Sequence, residues 1–143
     1  MSEPVDATEL ALRALRHRNR SRRELEQRLE RSGIAPGQRE ATLERLAETG
    51  LLSDDTFAED RARTLARRGA GDTFIRHDLR RHGIDHAAAE HAIAELEPEE
   101  ARAARLFERR GGGPKALRYL AGRGFAAETL ERMAGEHAPD AVE

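Results

Sequence analysis

SRRELEQRLERSGI, residues 21–34, holds everything one short helix needs: a start, a buried face, a stop and an apolar residue handed to the next element. Ser21 and Glu24 form a capping-box pair, in which the hydroxyl accepts from an orphan backbone N–H and the carboxylate reaches back to the cap's own N–H. Leu25 and Leu29 are one turn apart and share a face. Gly33 ends the helix, because glycine enters the left-handed conformation cheaply, and Ile34 follows. The same pattern returns as DTFIRHDLRRHGI at residues 72–84 and as PKALRYLAGRGF at residues 114–125.

The register of the repetition is fixed by subtraction. Leu29, Leu79 and Leu120 align at steps of 50 and 41, and so do Gly33, Gly83 and Gly124, and Ile34, Ile84 and Phe125. Upstream, Leu15, Leu65 and Leu106 fall into line, with Leu12, Ala62 and Ala103 three residues before them. Downstream, Leu43 and Leu46 match Ile93 and Leu96, and Met133 takes the Leu43 place after a one-residue deletion. A period of this size marks an array of helical units. The expected fold is all-α: three tandem three-helix repeats forming an elongated, curved array in which each unit touches only its neighbours.

The first repeat is expected at residues 6–52, with helices at about 6–19, 21–32 and 36–49. Asp6 and Glu9 form a second capping-box pair. Leu12 and Leu15 form the inner set of that helix, and Leu51 and Leu52 pack back after Gly50. The second repeat, residues 53–97, carries Phe57, Ala58, Ala62 and Leu65 as its inner stripe. Asp72 is expected to cap its middle helix, with Phe74, Ile75 and Leu79 inside, and its third helix spans about 86–97. Pro98 opens the third repeat, residues 98–136, whose loosest point is the glycine triplet 111–113. Residues 1–5 and 137–143 are expected to be disordered tails.

Composition agrees with thin cores rather than one thick one: 38% apolar and 36% charged residues, with 3% aromatic. The absence of cysteine removes disulfides and thiolate metal sites. The acidic start MSEPVDATEL is not a signal peptide, and no run approaches the ~20 apolar residues of a membrane span. A cytoplasmic protein without membrane contact is expected.

A net charge of −2 conceals a strong alternation. Residues 13–31 hold eight Arg against three Glu, whereas 32–60 hold two Arg against seven acids. The pattern repeats as seven basic residues against two acids over 61–81, none against six over 82–100, and seven (six Arg and Lys115) against one over 101–125. The first two helices of each unit are therefore basic and the third acidic. The candidates for contact with an acidic or polyanionic partner are Arg18, Arg20, Arg22 and Arg23; Arg67, Arg68, Arg76, Arg80 and Arg81; and Arg109, Arg110, Lys115 and Arg118. Any single one of them is also explained as a solvated side chain, a helix-end cation or half of an i,i+4 pair.

Catalytic patterns are missing. The single lysine follows GGGP rather than a phosphate-loop spacing, and no HExxH occurs. His82 and His86 are four apart, but Gly83 between them ends one helix before the next starts. Asp54-Asp55 and Glu99-Glu100 fall at helix starts, where the dipole accounts for them. No catalytic residue, metal ligand, cofactor or small-molecule substrate is expected. The first unit also mimics a helix-turn-helix, which gives an alternative reading as a stand-alone DNA-binding protein. Its would-be recognition helix carries Glu40, Glu44 and Glu48, and the copy at 86–97 has no Arg or Lys, so phosphates would be repelled.

The blocks ALRALRHRNRSRRELEQRLERSGI, LLSDDTFAEDRARTLARRGAGDTFIRHDLRRHGID and YLAGRGF together resemble the RecX family of bacterial recombination regulators, over about residues 10–135. The middle block is the most specific, with Leu52, Asp54, Phe57, Ala58, Arg63, Gly69, Gly71, Ile75, Leu79, Gly83 and Ile84 in place. The resemblance implies a modular, non-enzymatic protein of three three-helix repeats. It implies a RecA-type recombinase filament as partner, bound along its helical groove; the Arg-rich helices are then expected to face either acidic recombinase surface or the single-stranded DNA within the filament. It also implies restraint of the filament's ATPase and strand exchange. The third unit is shorter than in relatives, and the chain as a whole is less basic.

Overall fold

The computed structural model describes residues 6–136, so the tails expected at 1–5 and 137–143 lie outside the described residues. Among those residues are nine helices and no strand: α1 Ala7–His17, α2 Arg22–Arg31, α3 Pro36–Glu48, α4 Asp54–Arg67, α5 Asp72–Arg81, α6 His86–Ala94, α7 Glu99–Arg109, α8 Gly113–Gly122 and α9 Ala127–Glu136. Each helix packs chiefly on the other two of its own consecutive triple. Three separate apolar cores result. Leu25, Leu29, Ile34 and Leu43 centre the first; Phe57, Ile75, Leu79 and Ile84 the second; Phe107, Leu120, Phe125 and Met133 the third.

The starts and stops follow from local chemistry. Both halves of the Ser21–Glu24 capping box are present. Ser53 accepts from the Thr56 N–H at 3.2 Å and Asp85 from the Ala88 N–H at 2.8 Å, opening α4 and α6. The three middle helices end alike. The N–H groups of Ile34, Ile84 and Phe125 donate to the carbonyls of Leu29, Leu79 and Leu120 at 3.0, 3.0 and 3.2 Å. That wrap requires left-handed backbone at Gly33, Gly83 and Gly124, where φ is 82°, 81° and 85°. It also drives the next side chain inward, so Ile34, Ile84 and Phe125 are all buried. Replacing a fully buried leucine such as Leu79 by alanine removes about 2–5 kcal/mol in cores of this kind.

The structure corrects several expectations. The inner set of α1 is Ala7, Ala11 and Ala14, and Leu12 and Leu15 are only partly buried. The reason is the end of α1. Its cap Arg18 is extended (φ −165°), whereas α4 stops through Arg68 and left-handed Gly69. The chain therefore uses seven residues from Ala14 to Ser21 but six from Leu65 to Gly71, and Ala11 aligns with Ala62 and Ala103. Asp72 does not cap α5. The cap position is Gly71, and Asp72 is the first helical residue. Phe74 is not interior but 37% exposed, and Leu51 is exposed while Leu52 alone packs back. α1 stops at His17, and α6 at Ala94, where the cap Glu95 begins the turn toward Pro98.

Candidate partner-binding surface

Many of the arginines singled out from the sequence are engaged within the protein. Arg18 bonds the Glu24 carboxylate and donates to the Asn19 carbonyl at 2.8 Å. Arg20 lies 3.8 Å from Glu24 with its side chain mostly buried. Burial first, then neighbouring Arg18 and Arg28, lower its pKa from the ordinary guanidinium value against the pull of Glu24. Arg22 bridges Glu40 and Glu44 at 2.7 and 3.0 Å and so ties α2 to α3. Arg76 bonds Glu90, and that hydrogen bond is the main cause that raises the Arg76 pKa and lowers that of Glu90. Arg81 reaches Asp78 at 3.4 Å, and the Arg110 guanidinium stacks 3.5 Å from the Tyr119 ring centroid. Arg67, Arg68, Arg80, Arg109, Lys115 and Arg118 are exposed and have no carboxylate partner among the described residues.

The triples are joined through the ends of their middle helices. At the first joint Gly83, just past α5, abuts the first turn of α2, and a Cβ added there would fall 2.8 Å from Arg23 Cβ. The Arg22 N–H donates to Asp54 Oδ1 at 2.8 Å, and Asn19 bonds Asp60. At the second joint the residues following α8 meet the start of α5. The Gly71 N–H donates to the Arg123 carbonyl at 2.9 Å and the Thr73 N–H to the Gly124 carbonyl at 3.1 Å. These carbonyls answer the orphan donors of α5, which is why Asp72 is free of capping and instead binds Arg102 of α7. Arg102 also donates to the Ala70 carbonyl at 3.0 Å, and Arg123 to the Arg68 carbonyl at 3.0 Å. In both joints a helix end, rich in carbonyls, faces a helix start, rich in N–H groups, the favourable sense for their partial charges.

The second joint encloses a cleft of ≈ 520 Å³. Arg63 and Arg67 of α4 line one side, and Arg102, Arg105 and Arg109 of α7 the other. Ala66, Leu96, Leu106 and Phe125 provide apolar surface. Arg102 is held by Asp72, Arg63 by Asp60 and Arg105 by Glu97. Arg67 and Arg109 are each the last residue of their helix and are the two sequence candidates that the cleft brings together. The other eleven do not line it. Glu97 belongs to the lining too and pairs with Arg105, so five arginines against one carboxylate, beside apolar surface, suit an acidic segment that carries an apolar side chain.

Sequence reasoning missed Asp78 and Arg102. Asp78 is 2% exposed and receives Arg61 Nε and Nη2 at 2.8 and 2.9 Å. The signal was its place, three residues after Ile75 and one before Leu79, on the buried face of α5. The helix-turn-helix alternative finds little support in α3 and α6. Arg39 of α3 is turned onto the Ile34 carbonyl at 2.7 Å, Arg45 onto Thr8 at 3.4 Å, and α6 offers no Arg or Lys.

Comparison with known proteins agrees with this architecture. Residues 7–46 match the family model described as RecX, first three-helix domain, and residues 53–93 match RecX, second three-helix domain. A protein named regulatory protein RecX from Acidithiobacillus ferrooxidans is 37% identical, over 94% of this chain and 92% of its own. Another of that name, from Halorhodospira halophila, is 38% identical over the same shares. The crystal structure of RecX from Lactobacillus salivarius superposes with a TM-score of 0.77 at 23% identity, covering 91% of this chain and 93% of the other.

Proposed function

This chain belongs to the RecX family, and from that premise we propose that it binds the filament formed by a RecA-type recombinase on single-stranded DNA and restrains its ATPase and strand exchange. In this reading it is a non-enzymatic, cytoplasmic regulator of recombination and DNA repair. Its three units, residues 6–52, 53–97 and 98–136, lie along the filament groove and bridge successive protomers. No helix among the described residues is long and apolar enough to cross a membrane.

The observation that carries the reading, beyond family membership, is the basic cleft at the second joint, with Arg67 and Arg109 free of carboxylate partners. An acidic recombinase segment docks there, and exposed Arg68, Arg80, Lys115 and Arg118 extend the same charge toward the partner or the enclosed strand. The test is ATP hydrolysis by the host recombinase on single-stranded DNA, with this protein added from well below one copy per recombinase. Inhibition at substoichiometric amounts is expected. The double reversal Arg67→Glu/Arg109→Glu should raise the concentration for half-inhibition by about tenfold or more, as loss of two charge contacts worth ~1.4 kcal/mol together would do. No inhibition by folded wild-type protein at equimolar amounts would sink the proposal.

A further inference from the structure

A second cationic concavity lies on the first unit, between α1 and α2. Arg13, Arg16, His17, Arg20 and Arg28 line a pocket of ≈ 620 Å³, with Ala14 and no carboxylate in its wall. Two of the lining cations have a carboxylate neighbour that is not itself in the wall. Glu9 pairs with Arg13 at 3.4 Å, and Glu24 binds Arg18 closely while standing 3.8 Å from Arg20. Arg28 is the unusual member. Its Nε is buried without a partner, and the guanidinium makes no hydrogen bond among the described residues. Arg39 and Arg123 also bury an Nε, but each places another guanidinium nitrogen on a carbonyl.

Arg28, Asp78 and Tyr119 occupy one place in the three units, at the same steps of 50 and 41. In the second unit Arg61 answers Asp78 at 2.8 Å, and in the third Arg110 answers Tyr119 at 3.5 Å from the ring centroid. In the first unit the place holds a cation and its pocket neighbours are cations. A buried Nε–H without an acceptor is costly, and an anion entering the pocket would satisfy it. The planar donor fork of arginine matches the oxygens of phosphate.

We propose that this pocket binds a phosphoryl group, gripped by Arg16, Arg20 and Arg28 with Arg13 and His17 at its rim. The group is a backbone phosphate of single-stranded nucleic acid or a free phosphate, which present the same oxygens. The inference does not rest on recombinase binding.

The full chain is titrated with sodium phosphate against sodium chloride at equal ionic strength, following the arginine Nε–H resonances by NMR. Saturable, phosphate-specific shifts of the Arg20 and Arg28 signals are expected in the wild type. Arg16→Met/Arg28→Met, which keeps the apolar stems, should weaken apparent phosphate affinity by about tenfold or more. Arg132→Met on α9 should leave it unchanged, with circular dichroism verifying each fold. A wild-type protein without saturable shifts overturns the proposal whatever the variants do, and so does a folded double variant that binds phosphate as the wild type does. In a second arm, an unphosphorylated oligothymidylate is titrated in phosphate-free buffer over a salt series. If the backbone is the source, the double variant loses about 0.7 in the slope of log affinity against log salt for each phosphate released. An unchanged slope alongside phosphate-specific shifts assigns the pocket to free phosphate and upholds the proposal.

Discussion

Asp78 and Arg61 set the terms at the scale of residues. Burial alone pushes the Asp78 carboxyl upward, but the Arg61 hydrogen bonds and charge, with His82 and Arg81, outweigh it and hold its pKa below the ordinary 3.8. A depressed carboxylate contributes stability that is present above its unfolded pKa and is lost as pH falls through the folded value. Arg61→Met should therefore lower stability at pH 7 by about 2–3 kcal/mol, less than for a fully buried pair because Arg61 is one-third exposed. Urea unfolding at pH 7 and pH 3 checks both parts: the deficit should shrink at the lower pH. Replacing both partners, as Arg61→Met/Asp78→Leu, should recover most of the loss. The sequence offered this pair only obliquely. Periodicity marks position 78 as interior, but the partner lies on another helix, and nothing local says that a carboxylate there will find a cation.

At the scale of elements, the middle helices were the most legible part of the chain, because their signals are local. Ser21, Glu24 and Gly33 state a start and a stop within one stretch, and Leu25 and Leu29 state the face between them. α1 was misread by one position because it lacks a glycine stop, so its register against α2 depends on an extended Arg18 that no residue type announces. The joints were invisible for a related reason, since they are made of backbone. Two glycine substitutions separate the physics. Gly33→Ala meets no atom within 4 Å but must hold φ +82°, which costs about 1 kcal/mol of strain. Gly71→Ala has no such strain, yet its Cβ would sit 2.4 Å from the Phe125 backbone nitrogen. Hydrogen exchange should show broad, mild weakening of the first unit in the former. In the latter, the Gly71-position and Thr73 amides should lose protection while Ile84 keeps its own.

For the molecule as a whole, the site was less legible than the fold. Charge blocks identified where cations are dense, but not which ones are available. Arg22 answers Glu40 and Glu44 from 18 and 22 residues away, and Arg102 answers Asp72 from 30, so the accounting closes only in three dimensions. The Arg102–Asp72 pair also joins the second unit to the third. Arg102→Met should leave Asp72 half-paired and loosen the last unit. Amide protection in α7–α9 is expected to fall by about tenfold, which corresponds to ~1.4 kcal/mol, while α1–α3 stay unchanged. A uniform drop across all nine helices would instead mean that the three cores unfold as one.

Both joints run in one sense, with the end of α8 against the start of α5 and the end of α5 against the start of α2. Two units meeting face to face through a twofold axis would leave the assembly the same when turned around. Units joined end to start leave a vector. The protein thus has a head and a tail by construction, and along any track that itself has polarity only one of its two orientations can bring all three units into equivalent settings at once.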